Sequence, residues 1–111
     1  MMQENVYQIF HLDDDKLFTE AEAHQLLDVF LPITRKTQNE INALNSLLET
    51  YKHQAERADN IQFQINIQIQ KWSEKIRRLG GTPISLYQVK IPTFGTRYFF
   101  WEFPKSSVKL V

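Results

Sequence analysis

The chain has 111 residues, 42% of them apolar, and its 13 basic and 13 acidic side chains give a formal net charge of zero. That length holds one domain with a modest core and excludes two comfortable ones. Cysteine is absent, which excludes disulfide staples and thiolate metal sites and points to a cytoplasmic home.

No basic flank followed by an apolar run marks a signal peptide near the N-terminus. No apolar run approaches the roughly 20 residues of a membrane span, so a soluble protein is expected. The charge is unevenly placed. Residues 1–70 carry five bases against eleven acids, a net −6, and residues 71–111 carry eight bases against two acids, a net +6. The simplest reading is that the halves neutralise each other, within one chain or across a dimer. The rival is an anionic partner for the basic end.

Residues 1–16 read as an extended lead-in, in which Asn5–Leu12 is apolar enough to add an edge strand or to drape over a groove. Asp13-Asp14-Asp15 suits a solvated loop before a helix N-terminus better than a metal site, because adjacent carboxylates converge poorly. Thr19-Glu20-Ala21-Glu22 is a capping box, with Phe18 as the staple residue. Behind it, apolar or small residues recur at Ala23, Leu27, Phe30, Thr34, Thr37, Ile41, Leu44, Leu48, Tyr51, Ala55 and Ala58. These alternating steps of four and three make a helix packed along one seam. Pro32 removes one helical hydrogen bond and predicts a kink between Asp28 and Pro32. Seam threonines place the tightest packing around Ile41 to Tyr51.

A break is expected at Asp59-Asn60, allowing a second arm to fold back antiparallel. Ile61 to Gln70 alternates with period two, as a half-buried strand does. Read at helical steps, however, Ile61, Ile65, Ile69, Trp72, Ile76 and Leu79 share one face. Glutamine favours helices and no turn signal intervenes, so helix is the expected state. Phe63 and Ile67 then lie nearly opposite the seam and need a second cover. Arg77-Arg78-Leu79-Gly80-Gly81 ends the helix. Beyond it, Ile84–Ile91, Thr96–Phe103 and Ser107–Val111 read as three short strands, with aromatics on both faces of the middle one and both faces expected to be largely covered.

The expected fold is therefore α+β, in a single domain over residues 1–111. A long antiparallel helical hairpin spans residues 17–79, kinked near Pro32. A small C-terminal antiparallel β-meander spans residues 82–111.

Phe18-Thr19-Glu20-Ala21-Glu22-Ala23 ahead of Leu26-Leu27, then Gly80, Val89-Lys90-Ile91-Pro92, Gly95 and Trp101, form an ordered set of short motifs. In that order the chain resembles an uncharacterised bacterial and archaeal family, domain-of-unknown-function family 2203, from Lys16 onward. The resemblance implies a fold and carries no activity. The chain departs from the family pattern at His24, at Lys90-Ile91-Pro92 and at Phe103-Pro104.

No nucleophile elbow, phosphate loop or zinc signature is present, so no catalytic, cofactor or metal residue is assigned. Glu20 and His24 have the spacing of paired metal ligands but lack a third, which leaves a metal-dependent enzyme as a remote alternative. The leading expectation is a non-enzymatic protein–protein interaction module that self-associates, as a homodimer, through Phe63 and Ile67. The other alternative is single-stranded nucleic-acid binding through Lys71, Lys75, Arg78 and Arg97 beside the C-terminal aromatics. The helix-end bases are already accounted for by the helix dipole, and the aromatics alternate as a sheet core would.

Overall fold

The computed structural model describes residues 16–111, so the expected lead-in strand within Asn5–Leu12 and the Asp13-Asp14-Asp15 run lie outside the described residues. The first helix, α1 (Glu20–Tyr51), starts at the capping box read from the sequence. Glu22 N–H donates to Thr19 Oγ1 at 3.2 Å, and Thr19 N–H donates to Glu22 Oε1 at 2.9 Å. Two amides at the helix start are thereby satisfied. Just upstream, Phe18 N–H donates to the Pro92 carbonyl at 2.9 Å, which fastens the start of the helix to the sheet. The helix runs on through Pro32, whose ring is exposed.

The turn to the second helix, α2 (Ala55–Arg78), lies at Lys52-His53-Gln54 rather than at the expected Asp59-Asn60. Ala55 and Ala58 thus belong to the second arm. No glycine or proline marks the turn, whereas Asp59 and Asn60 fall in the second turn of α2, where both stay exposed to solvent. The 61–70 segment is helical throughout, so helical burial on one side outweighs its period-two pattern.

A left-handed glycine closes α2. Gly80, at φ +107°, donates to the Arg77 carbonyl, and Gly81 donates to the Ile76 carbonyl, both at 3.0 Å. This 6→1 and 5→2 pairing is the Schellman motif. Neither glycine has room for a side chain. A Cβ on Gly80 would meet the Phe18 ring at 2.5 Å, and one on Gly81 would meet Val89 Cγ1 at 2.7 Å.

Four antiparallel strands follow in sequence order: β1 (Thr82–Ser85), β2 (Gln88–Pro92), β3 (Tyr98–Glu102) and β4 (Lys109–Leu110). The fold is the α+β hairpin-and-meander expected, with one strand more than the sequence indicated. Ile84–Ile91 divides at a turn through Leu86 and Tyr87, where Tyr87 takes φ +71°. A bulky residue in that region is uncommon, so no sequence signal announced the turn. Tyr87 is held by its ring, 6.2 Å from the Trp72 centroid and 5.8 Å from that of Phe103, and by its carbonyl, which accepts from Phe103 N–H at 3.0 Å.

The core sits where the sheet meets the base of the hairpin. Ala23, Leu27 and Phe30 from α1 and Trp72 and Ile76 from α2 pack on Val89, Ile91, Phe99, Trp101 and Phe103 of the sheet region. The tightest packing is therefore at the base, not around Ile41 to Tyr51 as the seam suggested. Past Ile41 and Ile65, residues Leu44, Leu48, Tyr51 and Ile61 are only half-buried. The seam threonines are not weak points. Thr34 is fully buried, and its Oγ1 accepts from Trp72 Nε1–H at 2.8 Å. The two faces of β3 are covered unequally: Phe99 and Trp101 are buried, while Tyr98 and Phe100 on the other face are half-buried.

Two substitutions test these contacts. Thr34→Val keeps the shape but leaves the Trp72 indole N–H buried and unpaired, and should cost about 1–3 kcal/mol in urea unfolding. At the cap, the Thr19 N–H, aided by Lys16 at 3.7 Å, holds the Glu22 carboxyl below the ordinary glutamate value. A carboxyl that titrates lower when folded stabilises fully above its unfolded value of about 4.3. That stabilisation is lost as pH falls through the lowered folded value. Glu22→Gln should accordingly be less stable than wild type at neutral pH, with the difference closing in acid. A gap that persists unchanged at low pH would remove the carboxylate from this role.

Candidate interaction surfaces

The heptad face of α2 meets α1 through Ile65, Trp72 and Ile76, all buried. Phe63 and Ile67, four residues apart, share the opposite side of the same helix. Phe63 is 60% exposed, and Ile67 is half-buried. Leu47, on the distal part of α1, is 46% exposed. The distal arms thus carry a seam whose residues are half-covered, together with large apolar side chains that stay substantially exposed.

Between the arms, nearer the base, lies a cleft of about 440 Å³. Its floor includes Thr37 and Trp72, and its rim carries Lys36, Glu40, Lys71 and Lys75. None of the three lysines is in an ion pair among the described residues. Of the four cations named for nucleic acid, Lys71 and Lys75 share this cleft. Arg78 pairs with Glu74 at 3.9 Å along α2. Arg97 stands apart from that cleft, in the turn between β2 and β3, where its carbonyl accepts from Thr93 N–H at 3.4 Å.

The metal-ligand spacing of Glu20 and His24 is occupied differently. His24 Nδ1 donates to the Glu20 backbone carbonyl at 3.0 Å, and the nearby Glu22 carboxylate is engaged in the cap. Among the described residues, no three side chains of His, Asp or Glu converge. No described helix is long and apolar enough to cross a membrane.

The sequence pointed to Arg97 and the C-terminal aromatics, but not to the lysines that flank them on the outer face of the sheet. Tyr98 and Phe100 stand on it, and the strand register sets Lys90 and Lys109 directly beside Phe100, one on each neighbouring strand. The alternation of β3 was legible. Which bases flank it depends on register, which no local signal fixes.

No protein-family model, curated protein or solved structure matches the chain.

Three lysines around one cleft repel each other where salt does not screen them. Lys71→Gln should raise the melting temperature slightly at low ionic strength, within about 0.5 kcal/mol, and leave it unchanged at about 1 M salt. A destabilised variant at low salt would show that the ammonium makes a favourable contact instead.

Proposed function

We propose that the protein is a cytoplasmic protein–protein interaction module that self-associates as a homodimer through the distal half of its hairpin. The observation that carries this reading is the uneven burial of the two arms. Close to the sheet their seam is dry, with Leu27, Phe30, Trp72 and Ile76 at most 2% exposed. Toward the tip the same heptad positions are half-covered, and Phe63 projects from the back of α2.

Long helices gain most of their stability from packing an apolar face rather than from intrinsic propensity. Two hairpins packed back to back through α2 would bury Phe63 and Ile67 of each copy at the centre of the contact. The symmetry of such a contact is self-complementary, so the same residues serve on both copies. Absence of a catalytic constellation is part of the proposal, as is membership of the uncharacterised family that the sequence resembles. That family contributes no activity to it.

The double substitution Phe63→Glu with Ile67→Lys places charge where the second copy would pack. Sedimentation at tens of micromolar should show a wild-type dimer and a monomeric variant, with helicity retained. A wild-type monomer under those conditions overturns the reading. So does a variant that still dimerises.

A further inference from the structure

We propose that the outer face of the sheet is a binding site for single-stranded nucleic acid, with Tyr98 and Phe100 as the stacking rings and Lys90, Arg97, Lys105 and Lys109 as the phosphate contacts. This goes beyond the self-association reading and does not rest on it, because the face lies on the side of the sheet away from the helices.

The alternation of β3 sends Phe99 and Trp101 into the core and turns Tyr98 and Phe100 outward, both half-buried. The fold covers both rings only in part, which leaves some of their surface open to a base. Their spacing selects the ligand. Residues two apart on a strand stand about 6.8 Å apart, twice the step of about 3.4 Å between stacked bases in a duplex. Successive bases reach both rings only when the strand is drawn out, which an unpaired strand allows and a duplex does not.

Charge surrounds the rings in the right sign. Lys90 and Lys109 flank Phe100 in register, and a depression of about 270 Å³ opens beside that ring, bordered by Lys105 and Lys109. Arg97 adjoins Tyr98 at the end of the strand. The sheet region from residue 82 onward holds four cations against one acid. That acid, Glu102, is engaged by Gln88 Nε2 at 2.9 Å and by Lys105 at 3.9 Å. Lys90 Nζ rests 5.1 Å from the Tyr98 centroid, a cation–π contact that an arriving base can replace while the ammonium turns to a phosphate. Aromatic platforms inside a cationic groove are the general means of holding single strands without reading sequence.

The test is fluorescence anisotropy on the full chain with a labelled oligothymidylate of about twelve nucleotides. A duplex of the same length and polyglutamate of matched charge serve as competitors. The single strand should bind at least about tenfold more tightly than either. Lys109→Gln with Arg97→Gln, both at exposed positions, should weaken it and lower the salt slope by about one unit per cation removed. Phe100→Leu keeps apolar volume but loses the flat ring, and should weaken binding at least about fivefold with the melting temperature held. Absence of binding even at low salt overturns the proposal. Equal affinity for duplex and polyglutamate, with no response to Phe100→Leu, overturns it too and reduces the face to a charged patch. Binding lost on Lys71→Gln with Lys75→Gln, and kept on the sheet variants, would assign the ligand to the helical cleft.

Discussion

Five aromatic rings in mutual contact hold the two halves of this protein together. Phe30 on α1 lies 5.7 Å from Trp101 on β3, Trp101 lies 6.2 Å from Phe103, Phe103 meets Tyr87 in the β1–β2 turn, and Tyr87 meets Trp72 on α2. The chain of contacts leaves one helix, crosses the sheet and returns to the other helix. Each such pair adds about 0.5–1.5 kcal/mol beyond the area it buries. Two polar handles fix its ends. The Trp72 indole is bonded to Thr34, and Trp101 Nε1–H donates to the Lys105 carbonyl at 2.7 Å. The glycine pair at the end of α2 is what lets the sheet come close enough for these rings to touch.

Much of this was legible in the sequence, and for identifiable reasons. The capping box satisfies its own amides locally, so its residues announce it without help from the rest of the fold. Glycine at the end of α2 signals a backbone conformation that few other residues accept. The helical state of residues 61–70 could be argued because their period-two pattern was contradicted by glutamines and by a seam that continued into Trp72 and Ile76.

What stayed hidden depended on long-range packing. The hairpin turn at Lys52-His53-Gln54 carries no turn residue. It lies there because the two arms pair Thr34 with Trp72 at the base. The β1–β2 turn is held by the Tyr87 ring among partners far away in sequence, not by a local preference. Threonine in a helical seam reads as a weakness until its hydroxyl is seen under an indole. The surfaces fared likewise: Phe63 and Ile67 could be named from periodicity, whereas the flanking of Phe100 by two lysines needed the register of three strands.

The concentration of the core at one end also shapes how the molecule breathes. Opening free energy in a protein scales with the buried contacts that a segment must surrender. For the base of the hairpin that is the whole aromatic cluster, so its amides should exchange with solvent only when the molecule unfolds globally. Around Lys52 to Gln54 the arms share little more than half-covered side chains, and their amides should exchange through small local excursions. The hairpin is thus clamped at the sheet, and in the single chain its tip is the end where local opening costs least.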